Sequence, residues 1–83
     1  MHKTTTRFWE YYERLPISTQ KLATRNFGIL KENYQHPSLH FKKVGKFWSV
    51  RVDINHRALA IEENNDFFWV WIGTHDEYER MLK

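Results

Sequence analysis

Two arginines, a histidine and a tyrosine have the strongest claim to chemistry in this sequence. Arg51 stands within Trp48-Ser49-Val50-Arg51-Val52-Asp53, on the strand face opposite Trp48, Val50 and Val52. A guanidinium fixed on a strand presents a planar fork to phosphate; it can equally be an exposed arginine paired across the sheet. Arg57 opens the next apolar segment, one hairpin away, and can point into the same groove. Two guanidinium groups on one surface would stabilise the negative charge that builds in a phosphoryl transition state. Whether they converge depends on cross-strand register, which a sequence does not display.

His75 lies within Thr74-x-x-Glu77, a capping box that opens a short final helix just after Gly73. A histidine there can act as general base or acid near neutral pH, or sit half exposed beside Asp76. Tyr78, three residues on, shares its helix face. It can stack on a base, offer its hydroxyl, or pack the helix onto the sheet. Lys42, Lys43 and Lys46 flank a hairpin and can track a nucleic-acid backbone, or serve as solvated charges that keep a sheet edge from pairing. Other chemistries find little support. The five histidines form no i, i+3 or i+4 pair on one helix and there is no cysteine, so no metal site is expected. The three glycines are scattered singly, so no loop cradles phosphates and no cofactor is expected; no serine sits in a nucleophile elbow.

A small chain must position these groups. Its 83 residues allow one domain, 1–83. Six Phe, four Tyr and four Trp supply enough buried area for a core without disulfides. Trp9, Trp48, Trp69 and Trp71 read mainly as core, although one exposed indole could stack on a nucleobase. The longest apolar run, Phe67 to Ile72, is far shorter than the ~20 residues a bilayer requires, and the opening residues show no signal-peptide pattern. A cytoplasmic location is expected. Formal charge is +3, unevenly spread: residues 34–60 carry Lys42, Lys43, Lys46, Arg51 and Arg57 against Asp53 alone, a net +4, while residues 61–83 carry −4. A basic centre suggests an anionic partner, RNA or DNA first, unless it is simply a solvated face.

Periodicity predicts the elements. Phe8, Tyr11, Tyr12 and Leu15 fall at helical spacing from Thr4 onward, with threonines available as caps. Pro16 suits the first turn of a second helix, whose stripe is Ala23, Phe27, Leu30 and Tyr34. Gly28 within it is expected to serve close packing. Pro37 ends the helix. Strands are then expected at Leu39–Val44, Trp48–Ile54, His56–Glu62 and Asp66–Gly73, with Gly45-Lys46 and Asn64-Asn65 as turns. The final strands are apolar at both parities, so both sheet faces should be covered. The predicted fold is α+β: an N-terminal helical hairpin packed on a small antiparallel sheet of three to four strands, with a short C-terminal helix.

In order and spacing, Leu15-Pro16, His36-Pro37-Ser38-Leu39-His40-Phe41-Lys42, Trp48-Ser49-Val50-Arg51-Val52, His56-Arg57-Ala58-Leu59 and Trp69-Val70-Trp71-Ile72-Gly73-Thr74-His75-Asp76-Glu77-Tyr78 resemble the RelE/ParE toxin superfamily of type II toxin–antitoxin systems. The likeness runs over nearly the whole chain. It implies two helices packed on an antiparallel sheet, and a cognate antitoxin that wraps the domain and covers its groove. DNA would be met only indirectly, through the antitoxin complex. RelE-like members are ribosome-dependent mRNA endoribonucleases that inhibit translation, ParE-like members poison DNA gyrase, and the resemblance does not separate them; a non-catalytic protein-binding module is a third reading. Carried over, Arg57 matches the strand arginine that contacts the scissile phosphate, and Arg51 a basic strand residue. His75 falls where a basic residue or histidine follows the last strand, and Tyr78 is the candidate for the C-terminal tyrosine. There are two departures. Ser49 stands where the ribonuclease members often have lysine, and the family usually opens with a strand where Thr4 onward here reads as helix, which argues against a first strand.

Overall fold

A strand, not a helix, opens the chain. In the structure, a computed structural model that describes residues 1–82, His2–Thr4 form β1; Lys83, the last residue of the predicted domain, lies outside the described residues. β1 pairs in parallel with β5 (Asp66–Thr74), His2 opposite Phe67 and Thr4 opposite Trp69. Three residues are too few to display a period of two, which is why the pattern hid it. What holds β1 is aromatic. The His2 ring stacks on Phe67 at 5.0 Å between centroids, and its Nδ1 accepts the Trp69 indole N–H at 3.1 Å. Burial, helped by the nearby chain-terminal ammonium, pushes His2 below the usual histidine value, which suits a neutral ring that accepts.

Helix α1 spans Thr6–Glu13 and starts two residues later than the periodicity predicts, because Thr5 is its cap. The Thr5 hydroxyl oxygen accepts from the Phe8 N–H at 3.2 Å and the hydroxyl donates to the Trp69 carbonyl at 2.9 Å, tying the helix start to β5. Helix α2 spans Ile17–Glu32 after Pro16. Ala23 and Leu30 are buried as predicted, whereas Tyr34 falls beyond the helix and is 53% exposed. The expected close packing at Gly28 is absent: a Cβ built there would meet nothing within 4 Å.

The expected strand at Leu39–Val44 shortens to β2, Lys42–Val44. Pro37–Leu39 instead make a 3₁₀ turn with Leu39 fully buried, and His40 takes a left-handed φ of 47°. β3 (Phe47–Asp53), β4 (His56–Glu63) and β5 follow, with Ile54 in a turn and 70% exposed, not on the core face. The predicted turns hold: Gly45 has φ 60°, and Asn64 and Asn65 have φ 53° and 69°, the left-handed pair that a two-residue hairpin requires. Helix α3 spans His75–Leu82. The sheet has five strands in the order β1-β5-β4-β3-β2. It is mixed, not purely antiparallel, because β1 adds a parallel edge.

One irregularity explains the double parity of the last strands. Leu59 pairs with Trp71, but Ala60 pairs with Trp69, so Val70 is an extra residue in β5, a β-bulge. It turns Trp69 and Trp71 to opposite faces, although strict alternation would put them on the same one. Trp69 and Ile72 join Phe8, Leu30, Val50 and Val52 under α1 and α2; Trp71 joins Leu59 and Tyr78 under α3.

Candidate functional site

Strand alternation decides which side chains meet on the face that carries α3. Lys42 pairs with Ser49, and Arg51 pairs with Arg57, and partners directly across a ladder share a face. Lys43 pairs with Trp48 and so belongs to the opposite face. Lys46 lies in the hairpin turn with its ammonium 5.4 Å from the Phe47 ring. Of the three lysines singled out in the sequence, Lys42 alone lines the surface between the arginines and α3.

Like charges directly opposite one another repel, and the structure meets this at Arg57 with neutral acceptors. Its Nη1 donates to the Asp53 carbonyl at 2.5 Å and to the His56 carbonyl at 2.9 Å. Burial and the neighbouring Arg51 pull the Arg57 guanidinium below its usual value, against the opposing pull of Tyr78, Asp53 and Glu79; it remains charged at neutral pH. The turn beneath it is shaped by the Asp53 carboxylate, whose Oδ1 accepts the Asn55 N–H at 2.8 Å and meets His56 Nδ1 at 2.9 Å. Burial pushes the Asp53 carboxyl up, but the hydrogen bonds from the His56 ring and the Asn55 N–H outweigh it and hold the group below the usual range.

The start of α3 is built as the sequence predicts. The Thr74 hydroxyl oxygen accepts the Glu77 N–H at 3.2 Å, and Glu77 Oε1 accepts the Thr74 N–H at 3.1 Å, the reciprocal bonds of a capping box. The Thr74 N–H and the Thr74 hydroxyl, the latter at 2.9 Å, both donate to Glu77 Oε1 and hold the Glu77 carboxyl below its usual range. The His75 N–H donates to the Asn55 carbonyl at 2.6 Å, so the β3–β4 turn also anchors the helix. His75 Nε2 lies 3.2 Å from Glu79 Oε1, one helical turn on, and its ring is 5.8 Å from that of Tyr78. Tyr78 is buried against Leu59 and Trp71, so it packs the helix onto the sheet and lines the site as well.

Together these elements form a groove of about 280 Å³, lined by His40, Lys42, Ser49, Arg51, Arg57, His75, Tyr78 and Glu79, with Val44 and Leu82 as its apolar lining. Arg51, Arg57, His75 and Tyr78 thus come together, as their residue types suggested. Three cationic side chains share the groove with one carboxylate and two histidines: a surface suited to an anion, with groups able to move a proton. Glu79 and His40 escaped the sequence reading. The i, i+4 spacing of His75 and Glu79 was a usable signal; the left-handed turn that swings His40 into the groove had none. Among the described residues no group of three or more His, Asp or Glu side chains comes together to hold a metal, and no helix is long and apolar enough to cross a membrane.

No protein-family model matches this sequence and no curated protein matches it. Its fold, however, has clear counterparts. A chain of a RelB–RelE antitoxin–toxin complex from Methanococcus jannaschii superposes with a TM-score of 0.75 at 9% identity, over 98% of this chain and 99% of that one. A YoeB/ParE toxin from Agrobacterium tumefaciens does so at 0.67 and 14%, over 89% and 96%. The isolated E. coli RelE toxin does so at 0.63 and 9%, over 99% and 98%. At such identities the likeness establishes the fold: this chain has the architecture of RelE-like toxins.

Proposed function

We propose that this chain is the toxin of a type II toxin–antitoxin system and cleaves mRNA on the ribosome without a metal, so inhibiting translation. The observation that carries the reading is the convergence of Arg51, Arg57, Lys42, His75 and Tyr78 on one groove of a RelE-like fold. In the proposed reaction the ribose 2′-hydroxyl attacks the adjacent phosphate and the 5′-oxygen leaves, giving a 2′,3′-cyclic phosphate and a 5′-hydroxyl. His75 takes or returns the proton, with Glu79 at hand to hold its ring. Arg57 and Arg51 stabilise the pentavalent phosphate, Tyr78 orients or stacks on the nucleotide, and Lys42 holds the RNA backbone, with Lys46 extending that contact at the hairpin tip. Ser49 in place of a lysine leaves the charge to the two arginines. A cognate antitoxin is the expected partner, a reading supported by the antitoxin–toxin complex among the structural counterparts.

The test is purified chain added to translating ribosomes, with mRNA ends mapped by primer extension. Wild type should cut, and His75→Ala and Arg57→Ala should each cut ~10²-fold more slowly or worse. Intact mRNA together with loss of gyrase supercoiling would replace this reading with a gyrase poison, while tight antitoxin binding without any toxicity would leave a binding module. Wild-type rates in both variants would remove His75 and Arg57 from the site.

A further inference from the structure

We propose that the β3–β4 turn, through the Asp53 carboxylate and the His56 ring, is a positioning device that sets Arg57 and His75 relative to one another across the groove. The kinetic part rests on the function proposed above; the structural part stands by itself. Arg57 faces Arg51 across the ladder, and without a tether its long side chain would swing away into solvent. The tether is a pair of backbone carbonyls, those of Asp53 and His56, converging on one nitrogen. Neutral acceptors leave the guanidinium charge uncompensated and free to meet a phosphate, where a carboxylate partner would have quenched it.

Two carbonyls converge only if the turn keeps its shape, and the ladder reaches that turn through a register shift between Arg51 and Asp53 before closing on the Asp53–His56 pair. A side chain braces the turn at that closing pair. Asp53 Oδ1 gathers the Asn55 N–H and the His56 ring, an Asx-type closure of the turn. The carbonyl between those two contacts, that of Asn55, accepts the N–H of His75 at the first position of α3, a donor that helix geometry leaves without an internal acceptor. One carboxylate therefore fixes three carbonyls, and through them a guanidinium on β4 and the start of α3. Asp53 and His56 are positioning residues, since neither lines the groove.

The experiment uses the full chain, isotope-labelled, with Asp53→Ala and Asp53→Asn. Asparagine keeps an oxygen for the Asn55 N–H and should rescue cleavage to within ~3-fold of wild type, whereas alanine should lower kcat ~30-fold or more and leave KM within ~2-fold, because small misplacements act on the transition state. In Asp53→Ala the slowly exchanging Arg57 Nη–H signals should be lost and the His75 amide should exchange at least ~10-fold faster, as expected when a local opening costs less. A residue that merely supports the fold would lower thermal stability without this split. Wild-type Arg57 signals and His75 protection in Asp53→Ala would overturn the proposal. If wild type itself does not cut RNA, the functional reading fails, and these two NMR observations still decide the positioning role. Should Asp53→Ala not fold, His56→Ala probes the same link from the other side: faster His75 exchange and weakened Arg57 signals are expected, and wild-type values for both would overturn it.

Discussion

Gly73 is the residue on which the groove turns. A Cβ there would collide with the Trp71 indole and lie 3.0 Å from Glu77 Oε1, and Trp71 is too buried to yield. Gly73→Ala should therefore cost about 1–3 kcal/mol in urea unfolding, as other overpacked sites do, and loosen α3 with it. His2 sets a different expectation. Burial lowers its pKa from 6.5, so the native state resists a proton that the unfolded chain accepts. The sign follows: its contribution is complete above 6.5 and is lost as pH falls through the lower, folded value. His2→Phe keeps the stack on Phe67, and denaturant midpoints at pH 5 and pH 7 should lie closer together in that variant than in wild type. At this scale the sequence was informative about residue type, since Arg51, Arg57, His75 and Tyr78 were all legible. It was silent on Asp53 and His56, whose contacts depend on how a turn closes and not on any periodic pattern.

Among the elements, those with a clear period or a chemical stop were the most legible. The capping box at Thr74 and Glu77 located α3, and the paired asparagines located the β4–β5 turn, because each is a local arrangement that its own residues enforce. β1 and the Val70 bulge were not legible, because both depend on a partner strand: three residues carry no period, and an inserted residue looks like a second apolar face. Gly28 shows the opposite error, a packing role assigned where there is open space. It should be replaceable with profit. Gly28→Ala is expected to raise stability by about 1 kcal/mol through helix propensity and unfolded-state entropy, with RNA cleavage unchanged, and thermal and urea unfolding of the variant will measure it.

For the whole molecule, the modest +3 matters less than where the charges are placed. The strands gather Lys42, Arg51 and Arg57 on one face, and Lys43 goes to the other. Binding of a single-stranded RNA should weaken linearly with log salt, each neutralised phosphate contributing about −0.7 to the slope. Lys42→Ala should flatten that slope by roughly one such step, while Lys43→Ala should leave it unchanged; equal effects would mean that RNA also contacts the helical face. The sheet order has a consequence for how the protein is made. β5 lies between β1 and β4, receives the hydroxyl that caps α1 and leads directly into α3, yet it follows every other strand in the chain. During synthesis α1, α2 and the β2–β4 meander emerge first, and β1 waits for a partner that is more than sixty residues away. Neither the groove nor the anchored His75 exists until β5 and α3 have left the ribosome. On the function proposed above, a nascent chain has no assembled groove before that point, and the proposed activity arrives only once β5 and α3 have both emerged.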